Sequence, residues 1–257
     1  MRNLWYLLFA VLLVACSTEE DNNILPENGS TEEVDNLPFD QKLARHITGA
    51  LSIPATEKYT TEIFEAECNG DDSTDMVVAI NLMQRADDAA ANSGNVAKFV
   101  SMGYMGNYNY IVYVDGMTKR MSHPIPIPSS AKAPLEIRFE HIISGRQKDI
   151  LVDYRIRNSG FRAFFSIAGE QMVQVLQLKL FDGVGTLNPE AYYLRFEPGS
   201  YSLAKDIVVY KGTYENTTFD NPDDVYSFDP GIKPTDEVDR RWFFNDQQYK
   251  YFTKKDE

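Results

Sequence analysis

Alternation with a period of two constrains this chain more than any other feature. Over residues 135–140, Leu135, Ile137 and Phe139 interleave with Glu136, Arg138 and Glu140, the pattern of a strand with one face on a core and the other in water. Ile150, Val152, Tyr154 and Ile156 repeat it, Asn158-Ser159-Gly160 supplies turn residues, and Phe161, Ala163, Phe165 and Ile167 return, which predicts a hairpin. Further strands are predicted over 61–67, 76–82, 96–102, 108–114, 173–181, 192–197 and 207–214. Many short strands with turn signals between them favour an antiparallel β-sandwich-like fold over a parallel sheet with helical crossovers. The fold class expected is mainly β with one or two short helices.

The helices have their own signals. Leu43, Ile47 and Leu51 recur at helical spacing over 40–51, and the Ala-rich run 85–92 stops at Ser93-Gly94. The prolines of 123–128 force an extended segment, either a sheet edge or a crossover. Residues 216–237 are rich in Asp and Pro and read as irregular. Trp242, Phe243, Phe244, Tyr249, Tyr251 and Phe252 then crowd the end of the chain, so this segment must dock on the core or on a partner.

The first residues carry an address. A basic start at Arg2 precedes an apolar run over 4–14, the length of a secretory h-region and too short for a bilayer span, which takes about 20 residues. Ala15-Cys16 closing that run resembles the bacterial lipobox. The resemblance implies a signal peptide over 1–15, a diacylglycerol on the Cys16 thiol, and a mature chain starting at Cys16 with several acyl chains, enough for stable anchoring. Ser17, Thr18, Glu19, Glu20 and Asp21 resemble the acid-rich export tag of Bacteroidota surface lipoproteins. That implies an outer-membrane location facing outward.

Residues 17–40 hold eight acids and no Lys or Arg, a self-repelling tether over 16–40 that stands the domain about 25–30 Å off the membrane. The β-rich domain is expected over 41–215, with the tail over 216–257. Formal charge is −13, and losing Arg2 with the leader makes it −14. Such a balance excludes a nucleic-acid partner, whose phosphates demand a basic face. The 242 residues from Cys16 onward suffice for one large core or two small ones. With Cys16 lipidated, Cys68 has no disulfide partner and reads as a buried, inert thiol.

Glu67, Asn69, Asp71 and Asp75, with the Ser73 carbonyl, place oxygens at positions 1, 3, 5, 9 and 7 of one loop ahead of an apolar strand. Such a set suits structural calcium. The loop resembles the calcium loops of FG-GAP and related integrin-type repeats, except that Glu67 replaces Asp and Asp72 replaces Gly. An acid-rich hairpin turn at Asn69-Gly70 is the alternative.

Arg155, Arg157 and Arg162 make a basic spot that could clamp a carboxylate or phosphate, or else pair across strands with acids such as Asp153. Tyr104, Tyr108 and Tyr110 lie among glycines and asparagines and could face a sugar, or simply fill the core. His46, His123 and His141 lack zinc spacing, and no nucleophile elbow or phosphate loop is present. Two acids distant in sequence can meet in space, so a glycan hydrolase stays open with no residue named for it. The leading expectation is a non-catalytic, lipid-anchored accessory protein of the outer membrane. It would bind an envelope protein partner, through Trp242, Phe243, Phe244, Tyr249 and Tyr251. A carbohydrate-binding surface lipoprotein is the alternative.

Overall fold

The alternation resolves into two antiparallel sheets in a computed structural model that describes residues 37–216, 218 and 228–254. The signal peptide expected over 1–15, Cys16, most of the expected tether and part of the 216–237 tail lie outside the described residues. The chain divides into two units, Met1–Lys42 and Leu43–Glu257, and the second holds both sheets. The four-stranded sheet runs in the order β1 (Thr60–Ala66), β2 (Asp75–Asn81), β3 (Met105–Val114), β4 (Ile125–Ser130). The eight-stranded sheet is a meander in chain order: β5 (Glu136–Glu140), β6 (Asp149–Ile156), β7 (Ser159–Ala168), β8 (Gln171–Asp182), β9 (Glu190–Glu197), β10 (Asp206–Tyr214), β11 (Ile232–Asn245) and β12 (Lys250–Phe252). Every ladder is antiparallel.

Strand β5 alternates as expected, with Ile137 buried and Glu136, Arg138 and Glu140 exposed. Strand β6 does not. Its first six residues are all buried, because both of its faces are covered. Ile150, Val152 and Tyr154, with Ala163, Phe165 and Ile167 of β7, meet Val77, Ala79, Ile111 and Ile127 of the smaller sheet in one core. Leu151 and Phe164 point the other way and join Leu176, Leu178, Ile207, Val209, Phe244 and Tyr251 in a second. The second layer forms because β8 and β9 pair only through Phe181↔Ala191 and Asp182↔Glu190. The sheet folds at that corner, and β12 comes back beside β8. Tyr214 ties the corner from β10, its hydroxyl 2.7 Å from the Asp182 carbonyl and 2.8 Å from that of Glu190.

Helix α1 (Phe39–Ala50) buries Leu43 and Ile47, and α2 (Met83–Asn92) buries Ala86 and Ala90. The strand expected over 96–102 is instead the helix α3 (Val96–Ser101). Asn95 caps it, its side chain accepting from Lys98 N at 3.1 Å, and Gly94 turns into it at φ +69. The apolar residues Val96, Phe99 and Val100 have helical rather than alternating spacing. The prolines of β4 sit on a sheet edge, where a missing N–H costs no ladder bond. The irregular tail expected up to residue 237 is also corrected, since β11 starts at Ile232 and pairs along β10. Pro234 is tolerated there because β12 covers only Phe243–Asn245 on the far side of β11.

One buried charge sits beside the second core. Asp149 is 1% exposed, and its Oδ2 accepts from the Ile142 and Ile143 amides at 3.1 and 2.7 Å. Its Oδ1 has no hydrogen-bond partner among the described residues. Burial raises its pKa against the lowering pull of the Ile143 and Ile142 amides, the Ser166 hydroxyl and His141. Unfolded, the carboxyl titrates near the ordinary value of about 4. A raised folded pKa means that its stabilising contribution is complete below that value and is lost as pH rises through the folded one. Asp149→Asn therefore melts higher than wild type at neutral pH, with the gap closing on acidification. A variant that melts lower at neutral pH would show that the ionised form is well solvated where it lies.

Candidate functional site: an arginine-floored groove

The corner between β8 and β9 leaves an open groove of about 600 Å³ beside the second core, within the size range of ligand sites. Strands β5, β6 and β7 form its floor, Leu180 and Phe181 of β8 and Tyr192 and Leu194 of β9 form walls, and Phe228 to Ile232 close one side. Alternation fixes which side chains reach it. Asp153 and Arg155 point off β6 on the same face as Leu151, opposite Arg162 and Gly160 of β7.

The floor is an ion-pair row. Arg162 grips Asp153 with both forks, Nε to Oδ1 at 2.5 Å and Nη2 to Oδ2 at 2.6 Å. Both side chains are nearly buried, 13% and 11% exposed. Glu136 lies directly across from Asp153, two like charges that would repel. Arg138 relieves this by reaching Glu136 at 3.1 Å and Asp153 at 3.2 Å.

One register step along, Arg155 faces Gly160. A Cβ on Gly160 would lie 2.3 Å from the Phe181 ring, so only glycine lets that ring lie flat across the strand. The Arg155 guanidinium then stacks over Phe181 with 4.5 Å to the ring centroid, and its Nη2 donates to the Phe228 carbonyl. Tyr214 meets the Phe181 ring edge-on at 6.3 Å. Burial lowers the Arg155 pKa while Asp229 pulls it up, and a guanidinium stays protonated regardless.

Families of known proteins, curated proteins and solved structures offer no match to this chain. The groove must be read from its own chemistry.

Two of the three arginines expected to cluster do so. Arg157 does not, because the turn falls at Arg157-Asn158, one residue earlier than expected, and Arg157 takes φ 55 in exposed backbone. Arg162 takes the cross-strand option with Asp153. The tyrosine run lies elsewhere. Tyr104 is 8% exposed, packs with Ala86, Ala90 and Ala131, and carries Lys132 Nζ 4.4 Å above its ring. Tyr108 packs on the same cluster, and Tyr110 is half-buried on β3.

The loop between β1 and β2 closes on itself. Glu67 Oε1 accepts from Gly70 N at 2.6 Å, and Asp71 Oδ1 accepts from the Ser73 amide and hydroxyl at 2.9 and 2.5 Å. Those Ser73 groups hold the Asp71 carboxyl below its usual range. Asn69 spends its Oδ1 on Asp71 N and turns its NH₂ toward Asp71 and Asp115. The fully buried Asp75 accepts from Cys68 N and Gly116 N, each at 2.8 Å. As folded, side-chain oxygens of Glu67, Asn69, Asp71 and Asp75 accept from the chain's own N–H and O–H groups.

The aromatic tail folds inward. Phe244 and Tyr251 belong to the second core, Trp242 and Tyr249 pack against it, and Phe243 is 9% exposed. Of the two options expected for this segment, docking on the core is the one these contacts describe, with Trp242 and Tyr249 left partly exposed. Cys68 is fully buried, and burial, with Asp75 and Glu67 next in effect, pushes its thiol pKa up to about 12. It is no nucleophile at neutral pH.

Sequence reasoning missed Arg138, Phe181, Tyr192 and Gly160 as groove residues. Arg138 was legible as an outward residue of an alternating strand. Phe181 and Tyr192 were not, because the fold at the β8–β9 corner leaves no local signal.

Proposed function

We propose a non-catalytic, lipid-anchored outer-membrane protein that holds a saccharide in the groove at the β8–β9 corner. The observation that carries this reading is the groove itself, an open cleft with aromatic and apolar walls and a floor of ordered polar groups. Sugar rings offer apolar faces and many hydroxyls, the complement of such a surface. Binding is favoured over cleavage because the acids of the groove are engaged. Asp153 is held by two arginines, Glu136 by Arg138, and Asp229 Oδ1 accepts from Gly231 N at 3.0 Å. A hydrolase needs one carboxyl able to protonate a leaving group and a second free to attack or activate water.

The anchoring part of the proposal rests on Ala15-Cys16 and the acids that follow. Surface display on a tether puts the groove within reach of external polysaccharides. The test is a screen of the full-length protein, solubilised in mild detergent, against immobilised glycans, alongside Gly160→Val. The wild type retains a defined glycan class and Gly160→Val loses it, since the valine side chain displaces Phe181 and Arg155. Equal binding by both would remove the groove from the reading. Mass spectrometry of the N-terminal peptide reports a diacylglycerol on Cys16, absent in Cys16→Ala.

A second reading, an envelope protein partner, has one observation in its favour. Tyr201 is 58% exposed and Leu203 fully so, and the Tyr201 ring packs against Phe243 with Lys254 Nζ 4.7 Å above it. Native purification from the host settles it by whether a second protein accompanies this one at fixed stoichiometry.

A further inference from the structure

We propose that the tip of the β9–β10 loop, at Tyr201 and Leu203, rests in the headgroup layer of an anionic bilayer and so holds the groove at the far end of the sheets, turned away from the membrane. This rests on the lipid-anchor reading and adds which surface of the chain the bilayer meets.

Topology separates the two ends. Both sheets run in chain order with antiparallel ladders, so the connections after β5, β7, β9 and β11 share one end of the larger sheet. Lys148 N donates to the Glu67 carbonyl at 3.0 Å, which brings the connections after β1 and β3 to that same end. The groove, at the β6–β7 turn and the β8–β9 corner, occupies the other. The chain also enters at the loop end. Leu43 opens the unit that holds both sheets, and His46 Nε2 lies 2.8 Å from the Ser122 carbonyl in the β3–β4 connection. Farther along α1, the Leu51 carbonyl accepts from Arg85 Nη1 at 3.3 Å, and Arg85 lies on α2, beyond the opposite end of β2. A tether joined there with a reach of about 25–30 Å keeps the loop end nearer the membrane than the groove, since the twelve residues of β8 span about 40 Å.

The tip is held out by its own backbone. A Cβ on Gly199 would fall 2.0 Å from the Ala204 carbonyl oxygen, so the loop closes as a tight pinch. Buried Asp206 accepts from Ser200 N at 3.2 Å and from its hydroxyl at 2.5 Å, and Lys205 N donates to the Ile142 carbonyl at 2.8 Å. Leu203 is left fully exposed, and Tyr201 is 58% exposed with Lys254 Nζ 4.7 Å above its ring. An apolar tip flanked by a tyrosine and lysines suits the membrane interface. The leucine leaves water, the tyrosine keeps its hydroxyl among the headgroups, and the cations meet lipid phosphates. Lys205, Lys250 and Lys254 supply that charge, and the neighbouring acids Glu197 and Asp206 are held by Arg241 at 2.6 and 3.2 Å. Asp246 is the exposed acid of the β11–β12 turn. The loops of the smaller sheet at this end carry Asp71, Asp72 and Asp115, which anionic headgroups repel, so the larger sheet makes the contact.

The test reconstitutes the full-length lipidated chain into vesicles of phosphatidylethanolamine and phosphatidylglycerol, with an environment-sensitive fluorophore on Leu203→Cys. Cys68 is fully buried and stays unlabelled. Leu187→Cys, 98% exposed in the β8–β9 connection, is the control at the groove end. Flotation reports the anchor. On floated vesicles the label at 203 shifts to shorter wavelength and is quenched by lipids brominated along their acyl chains, while the label at 187 does neither. Replacing phosphatidylglycerol by phosphatidylcholine, or introducing Lys254→Gln, reduces the quenching at 203. Flotation with equal signals at 203 and 187 would overturn the contact and leave the anchor standing. A label at 203 that responds only in native outer-membrane fragments, and not in pure lipid, would overturn it in favour of a protein partner. Failure to float would overturn the anchor and the contact together.

Discussion

Phe164→Ala and Phe165→Ala each destabilise the protein by about 3–5 kcal/mol, and by similar amounts. The two phenylalanines are consecutive on β7 and both are 1% exposed, yet they point to opposite faces and fill different cores. On a sheet with one wet face, one of the pair would be inert. Here Phe165 packs beneath the four-stranded sheet, while Phe164 meets Phe196 edge-on at 6.3 Å across the second layer. Urea titration of both single variants measures the claim. A near-zero effect at either position would mean that one of the two layers does not form. Because the side chains have no common core, the double variant loses close to the sum of the two singles, provided enough stability remains to observe it.

Asp75→Ala is the second large effect, about 3–5 kcal/mol, because it strands two backbone N–H groups at once. Asp75 is fully buried and stitches Cys68, at the end of β1, to Gly116, in the turn after β3. Gly116 itself tolerates no side chain, since a Cβ would fall 2.0 Å from the Thr74 carbonyl oxygen. The two possible roles of the carboxylate separate cleanly in a thermal melt. If Asp75 serves the backbone, the wild-type midpoint is the same in millimolar calcium and in chelator, and only the variant falls. A wild-type midpoint that climbs with calcium would mean that the loop rearranges to gather its oxygens around the ion.

These two regions mark where the sequence spoke clearly and where it did not. The alternation of 135–140 gave β5 with its wet and dry faces correct, because that edge strand has a single covered face. In β6 the same eye for alternation picked out Ile150, Val152 and Tyr154 and passed over Leu151 and Asp153 between them, which are buried too. Arg162 and Arg138 cover Asp153, while the cover of Leu151 comes from β8 and β10–β12, elements farther along the chain, and no local pattern announces a second layer. A run with apolar residues on both parities was the available hint. Helix α3 was lost to its β-branched valines, although Asn95 three residues ahead of Lys98 and the spacing of Val96, Phe99 and Val100 favoured a capped turn.

At the site the arginines were half legible. Composition around 155–162 drew attention to a basic spot, but the position of the turn decided which guanidiniums share a face, and that depended on Arg157 adopting positive φ. The tyrosine run and the aromatic tail were conspicuous for their composition alone. Tyr104 and Tyr108 pack in the cluster with Ala86 and Ala90, and Phe244 and Tyr251 pack in the second core.

The larger sheet pairs its strands in the order in which they occur, from β5 to β12. Each strand finds its partner in the segment made just before it, so closing each loop costs little chain entropy and the search is short. The second core is incomplete without Phe244 and Tyr251, the last of its buried members in chain order. Without those two side chains, apolar residues of β8 and β10 that share their core would be uncovered, a state open to capture by chaperones or to aggregation. Strands β11 and β12 thus complete the second core, independently of anything the finished groove binds.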